Sequence, residues 1–339
     1  MQRPVVNLVV RSLAGTEAAV AGATIESALS ENPSLRAAIS SQGDMCWCAL
    51  SYFRLREAGV EGIRLSDRID PGCINVVHTI QLKAMQVPRD AFVVCVRADM
   101  DRRIWAHYHL VQNLDQAASE TSCIYLWPQP ALIARKDPPD GVRKVAFLGQ
   151  PYNGNLALHP RDLAALLEEH GFEFAVPSSD WSDFSEVDAS IGIRSFDDRP
   201  YSSKPPSKLI NAWIAGVPFI GGSDSAYAQV GSPGQDYLVA TSRDELIAQL
   251  IRLRDDPALR RAMIERGRAK AALYDNAALA GQWQEVLNGP VADRYTRWRA
   301  NPGSERRRLA LLVLVDSIVA MARWAGSKLR NALLNARYD

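Results

Sequence analysis

Short continuous apolar runs alternate along most of this chain with longer stretches of helical periodicity, and glycine, proline or small polar residues separate them. Val5 to Val10 predicts a first strand, and Thr24 to Ile39, with Leu29, Leu35 and Ala38, predicts a helix. A second helix is expected from Cys46 to Ala58, closed by Gly59, followed by short β-type runs at Gly62 to Leu65 and Ile74 to Val77. Phe92 to Val96, Tyr108 to Val111 and Ile124 to Trp127 read as further strands, with a helical turn over Asp101 to Ala106.

The alternation pauses at Pro128-Gln129-Pro130 and at the polar stretch Arg135 to Gly141, which together read as a stiff linker. It then resumes. Strands are expected at Lys144 to Leu148, Phe172 to Val176, Ala189 to Ile193, Val217 to Ile220 and Tyr237 to Ala240. Helices are expected at Pro160 to His170, Lys208 to Ala215 with Gly216 as its stop, Arg243 to Arg254 and Pro257 to Tyr274. Strands that keep arriving before helices specify α/β folding with parallel sheets. The expected units are 1–135, 136–290 and a helical tail, 291–339. Parallel-sheet domains bind ligands at their strand carboxyl ends, so two of them joined by a short linker create a cleft between those ends.

Composition changes this picture little. With 47% hydrophobic and 23% charged residues the chain has an ordinary globular balance, and its formal net charge of +1 argues against nucleic acid as a partner. The five cysteines, Cys46, Cys48, Cys73, Cys95 and Cys123, follow neither disulfide nor zinc spacing and read as buried thiols of a reducing compartment. The first residues lack a signal-type apolar segment, and no stretch reaches the roughly 18 uncharged apolar residues of a spanning helix. A cytoplasmic protein, peripheral on the inner face of the membrane at most, is expected.

The stretch Ser202 to Tyr227, SSKPPSKLINAWIAGVPFIGGSDSAY, carries the densest signal: a proline-stopped loop, a helix, a buried strand and a Gly-Gly-Ser loop. The KLINAWIAGVPFIGG core resembles the donor-binding domain of GT-B glycosyltransferases, as do, in order, Ser225-Ala226-Tyr227, Asp236-Tyr237-Leu238, Asp244-Glu245-Leu246 and Asp256 to Met263. In the first half, Val76-Val77-His78 resembles the strand-end histidine of these enzymes, and Leu110 to Asn113 resembles the strand before their domain crossover. The resemblance implies two Rossmann-like domains facing across a cleft, a nucleotide-sugar donor, and a glycan or lipid-linked acceptor in surface polysaccharide or glycoconjugate synthesis. It implies no cofactor and no metal. Two departures bear on mechanism. Retaining members carry two glutamates where this chain has Ser203 and Asn211, and the Arg and Lys often found after the first donor-domain strand are absent from Gln150 to Asn155. The Lys-Leu, Asn-Ala and Gly-Val-Pro pattern is also similar to inverting fucosyltransferases. A silent sugar-nucleotide or glycan binder and a nucleotide-sugar epimerase are the rival functions on this fold.

Transfer from a nucleotide sugar expels a charged diphosphate, which a cation and helix N-termini stabilise. Lys208 stands in the first turn of its helix, where the dipole disfavours a cation unless a phosphate is bound, against the alternative of a solvated lysine. Arg194 is the second candidate, with an ion pair to Asp197 or Asp198 as its alternative. Ser207, a plausible N-cap, and Asn211 can hydrogen-bond phosphate or ribose, and the amides around Ser225, Ala226 and Tyr227 can hold sugar or phosphate. The base would contact Ser178 to Trp181. Three residues are candidates to accept the acceptor's proton. They are Asp44, otherwise a helix cap, His78, otherwise a core histidine, and Asp99, otherwise a partner of Arg97 or Arg102. His107 and His109 flank a strand start without metal-site spacing. The tail from Glu305 to Asp339 carries seven basic and three acidic side chains, a net of +4, on an apolar helix. Such a segment, 304–337, suits an anionic membrane surface; its alternative is packing on the protein or at a dimer contact.

Overall fold

The computed structural model describes residues 4–14, 16, 24–149, 160–177 and 181–335, with side chains in the last helix as far as Ala322 apart from Pro302, Arg306 and Ala320. The expected loop 150–155, residues 178–180 of the expected base-contacting loop, and the tail side chains beyond Ala322 lie outside the described residues. The first sheet comprises β1 (Val6–Val9), β2 (Ile63–Ser66), β3 (Ile74–His78), β4 (Phe92–Val96), β5 (Tyr108–Val111) and β6 (Thr121–Cys123), in spatial order β2-β1-β3-β4-β5-β6. The second comprises β7 (Lys144–Ala146), β8 (Glu173–Ala175), β9 (Ala189–Gly192), β10 (Phe219–Gly221) and β11 (Leu238–Val239), in the order β8-β7-β9-β10-β11. Every pairing within these sheets is parallel. Each domain therefore places its second strand outside its first and continues with the third on the other side. The resulting switch points lie between β1 and β3 and between β7 and β9, where the connections part and leave a crevice.

Alternation along the strands explains why both faces of each sheet are covered. Leu8, Val76 and Val94 enter one core while Val9, Val77, Val93 and Cys95 enter another. In the second domain Val145 and Ile220 face one cluster while Ala146 and Phe219 face the opposite one, with Leu209, Trp213 and Tyr227. Side chains buried on both faces make the strands read as apolar runs.

Three elements differ from the sequence expectation for identifiable reasons. The helix expected over Thr24 to Ile39 is two, α1 (Ile25–Glu31) and α2 (Pro33–Ser41), because Asn32 caps the second through the Leu35 N–H and Pro33 cannot continue the first. The next helix opens with a π-helical turn, Met45–Ala49, before α3 (Leu50–Glu57). The expected strand at Ile124 to Trp127 is extended chain beyond the paired residues Thr121–Cys123, and Asp101 to Ala106 forms turns and not a helix.

The second domain's helices are α4 (Pro160–Glu169), α5 (Ser207–Ala215), α6 (Ser225–Val230), α7 (Arg243–Asp255) and α8 (Pro257–Ala271). The chain then returns to the first domain. In α9 (Asn276–Val286) Leu279 and Trp283 are buried in the first core, and in α10 (Ala292–Ala300) Tyr295 and Trp298 pack on Phe92 with ring centroids 5.2 and 5.6 Å away. Residues 276–300 thus fasten the first domain from behind, whereas the sequence divided them between donor domain and tail. The last helix, α11 (Pro302–Asn335), docks on the first domain by its opening turns: Leu309 joins the cluster of Val9 and Val77, Asp316 pairs with Arg103 at 3.2 Å, and Glu305 pairs with Arg294 at 3.0 Å.

Trp283→Ala should destabilise the protein by about 3–5 kcal/mol in urea titration. The Trp283 indole nitrogen is buried without a hydrogen-bond partner among the described residues, so Trp283→Phe should cost clearly less. A loss of no more than about 0.5 kcal/mol for Trp283→Ala would place the residue outside the core of the first domain.

Candidate active site

The two sheets present their carboxyl ends to a shared cavity of about 700 Å³. From the first domain come Gly43, just before the π-helical turn, Trp47 within it, His78 at the end of β3, Asp99 after β4 and Gln112 after β5. Trp127 and Gln129 of the crossover form its floor, and the second domain adds Gly149 after β7, Arg194 after β9, and Tyr201, Lys204, Ser207, Lys208 and Asn211 around the start of α5. Of the residues singled out in the sequence, His78, Asp99, Arg194, Ser207, Lys208 and Asn211 meet here; Asp44, Ser225, Ala226 and Tyr227 do not line the cavity.

Lys208 has the least compensated charge. Its ammonium donates to the Leu148 carbonyl at 2.7 Å and lies 4.5 Å from the Phe147 ring centroid, but no carboxylate pairs with it among the described residues. Burial pushes it down to about 7 from 10.5, Arg194's charge adds to the shift, and Asp224 opposes it. Gly149, at φ +155, makes the arrangement possible, since a Cβ there would stand 2.0 Å from the ammonium nitrogen. Ser207 is the first helical residue and not the N-cap; that position belongs to Pro206, so the Ser207 hydroxyl bonds no described residue. Asn211 is partly committed, its carbonyl oxygen accepting the Gln129 N–H at 3.1 Å.

Arg194 pairs with Asp224, while Asp197 binds Arg199. Asp224 has a fully buried side chain whose second oxygen lacks a partner among the described residues, and burial holds its carboxyl above the usual range although Arg194 opposes that.

On the opposite wall Asp99 bonds Lys204 of the second domain at 2.5 Å, and not Arg97 or Arg102. Ala98, at φ +50, turns the chain out of β4 into this position, and Tyr201, at φ +46, does the same beside Lys204. His78 is buried against Gly43, where a Cβ would approach the ring to 2.4 Å, and burial holds it below the ordinary imidazole range and neutral. Its Nδ1 accepts the Ile80 N–H at 3.4 Å, which leaves the proton on Nε2 and makes the ring a donor. Asp44 neither caps a helix nor faces the cleft: its Oδ2 accepts the Arg11 N–H at 3.0 Å and the Gln81 amide at 2.8 Å.

Ser225, Ala226 and Tyr227 serve the framework. The Ser225 N–H donates to the Pro200 carbonyl at 2.7 Å, and its hydroxyl accepts from the Asn113 amide at 3.0 Å. Ala226 is buried, and Tyr227, also fully buried, donates to the Gly192 carbonyl at 3.0 Å. Gln112 and Asn113 reach across to the backbone carbonyls of Ser203 at 2.9 Å and Lys204 at 3.1 Å, and Gln229 returns a bond to Asn113 at 2.8 Å. These amides and Lys204 escaped the sequence reading. Two consecutive amide side chains after a buried strand were the available signal. All five cysteines are free, and burial pushes the thiol of Cys46, beside the cleft, up to about 12. His107 stacks on Phe92 at 4.8 Å, His109 bonds the Arg103 carbonyl at 2.8 Å, and no group of three metal-ligating side chains occurs among the described residues.

A family model described as glycosyl transferase-like matches residues 161–285. No curated protein matches the chain. Among solved structures, Anabaena HepE in complex with UDP is similar at 10% identity and a TM-score of 0.49, over 85% of this chain and 100% of that one. A mutant of S. aureus TarM, in complex with fondaparinux, alpha-GlcNAc-glycerol and UDP, is similar at 11% identity and 0.47, over 65% of this chain and 57% of that one. Sucrose-phosphate synthase from Thermosynechococcus elongatus is similar at 14% identity and 0.45, over 65% and 74%. The chain spans 57% of TarM and 60% of a chain of the GtfA/B complex. Residues 161–285, the source of Arg194, Ser207, Lys208 and Asn211 in the cleft, are thus similar to a glycosyl transferase-like domain, and they stand opposite a second parallel-sheet domain.

Proposed function

We propose that this protein transfers a sugar from a nucleoside-diphosphate donor to a hydroxyl of a glycan or lipid-linked acceptor, in the synthesis of surface polysaccharide or glycoconjugate. The observation that carries the reading is Lys208: a half-buried ammonium at the β7/β9 switch point with a carbonyl but no carboxylate against it among the described residues. A donor diphosphate placed there restores the missing countercharge and satisfies the start of α5. As the bond from the anomeric carbon to the diphosphate breaks, Lys208 and Arg194 stabilise the charge on the leaving oxygen, and Ser207 donates its hydroxyl. Asp99 takes the proton of the attacking hydroxyl, while His78, through Nε2–H, holds an oxygen of the sugar or the acceptor. Asp44, buried and doubly bonded away from the cleft, has no part in this chemistry.

We further place the enzyme on an anionic inner-membrane surface through α11. Leu311, Leu314, Val315 and Ile318 form an exposed apolar stripe on the side away from Leu309 and Asp316, and the exposed Arg307 and Arg308 precede it. No helix of the described residues is long and apolar enough to cross a membrane.

A thermal-shift series with UDP, GDP, ADP and CDP should show one base raising the unfolding temperature, because a ligand of the folded state alone stabilises it. Lys208→Met should abolish that shift; an unchanged shift removes the lysine from the phosphate site. Since diphosphate favours the charged lysine, affinity should fall as pH rises above about 7, with Lys208→Arg levelling the profile. Without ligand the sign reverses. The folded state binds fewer protons than the unfolded chain between about 7 and 10.5, so stability rises with pH over that window, and Lys208→Met should melt higher than wild type at pH 6. Assayed with radiolabelled nucleotide sugar and membranes, wild type should label glycan or lipid and Asp99→Asn should lose most of that transfer. Binding without turnover, or a rearranged donor, would replace transfer with one of the rival functions. In flotation with vesicles containing phosphatidylglycerol, the triple change Leu311→Asp, Leu314→Asp, Ile318→Asp should leave the protein at the bottom of the gradient.

A further inference from the structure

Lys204 lies in the loop four residues ahead of Lys208 on the same wall of the cleft, yet its ammonium is turned across the cavity to Asp99. Its backbone cannot follow. The Ser203 and Lys204 carbonyls are held by the amides of Gln112 and Asn113, and Tyr201 fixes the approach at φ +46. Only the side chain can change its partner, and a lysine stem has the reach and rotamer freedom to do so. The charge of Lys204 is also felt on the donor side, where it favours the ionised form of Asp224, the partner of Arg194. The ammonium thus stands between the exposed Asp99 carboxylate on one wall and, on the other, the space in front of Arg194 and Lys208 where an anion would sit.

We infer that Lys204 is a shared cation, bound to Asp99 before the donor arrives and surrendered to the donor's diphosphate when it binds, so that donor binding uncovers the base. This rests on the reading of the cleft as a diphosphate site. While Lys204 donates to Asp99 Oδ2 at 2.5 Å, that oxygen is occupied, and when the ammonium leaves it is open to an incoming hydroxyl. Coupling access to this oxygen to donor occupancy imposes an order in which the donor binds before the acceptor is activated. Ala98, at φ +50, keeps Asp99 aimed at the cavity in both states.

The test is a double-mutant cycle by titration calorimetry at one pH and ionic strength, with inorganic pyrophosphate and UDP as probes of wild type, Asp99→Asn, Lys204→Met and the double variant. Circular dichroism confirms that each is folded, and Lys204→Gln repeats the measurement if the Met variant fails. Removing the competing carboxylate should tighten binding about five-fold, and removing the cation should weaken it by a similar factor. The tightening by Asp99→Asn should vanish in the Lys204→Met background, which a merely structural bridge would not produce. Asp99→Glu should restore wild-type affinity. Additive effects, or an Asp99→Asn variant that binds like wild type, overturn the shared cation while leaving the diphosphate site intact. Failure of both wild type and Asp99→Asn to bind either probe overturns the site and the inference together.

Discussion

The cleft depends on a half-buried ammonium group whose one described hydrogen bond is to a carbonyl oxygen. Lys208 is tolerated there because several neighbours conspire to leave room for it. Gly149 carries no Cβ, Phe147 offers a ring face, and Pro206 starts α5 where it does without a capping side chain. A cation at a helix N-terminus opposes the helix dipole, and burial opposes its charge. Both penalties are removed by the same event, the arrival of an anion, so the energetic defect of the free protein points to its ligand.

That arrangement is useful only if the walls of the cleft keep their distance, and neutral groups hold them. Gln112, Asn113 and Gln229 reach across the domain junction, and Asn211 grips the crossover at Gln129. Amides neither titrate near neutral pH nor compete electrostatically for a diphosphate, so the junction can be fixed beside the cations without neutralising them. From behind, α9 and α10 bring Trp283, Tyr295 and Trp298 onto the first core, making the same chain that closes the second domain a brace for its partner.

The parallel strands are legible in the sequence because they are buried on both faces, and apolar runs such as Phe92 to Val96 permit few other readings. Helix breaks are legible where a single residue forbids continuation, although Asn32-Pro33 is masked by the periodic stretch around it. Allegiance is not legible. Nothing in the local pattern of Leu279, Trp283 and Trp298 says which core they enter, because an amphipathic face is complementary to any apolar surface. The site divides along the same line. Lys208 betrays itself locally by violating the dipole preference, whereas the partners of Arg194, Asp99 and Asp44 are set by loops from distant strands. Those pairings, to Asp224, to Lys204, and to the Arg11 N–H and Gln81, follow from topology.

Charge balance inside the cleft shows why those long-range pairings matter. Arg194 is paired with Asp224, whose ionisation burial opposes, and Lys204 with Asp99, which leaves Lys208 as the one cation without a carboxylate among these three. An entering anion therefore meets Lys208 before it competes with a carboxylate for either of the others. The full complement is available only to a ligand large enough to touch Lys208, approach Arg194 and reach the Lys204 stem together. A single phosphate meets the first of these. On the proposed function a diphosphate carrying a sugar would meet all three, and selectivity for it would then arise from how the carboxylates are distributed rather than from additional contacts.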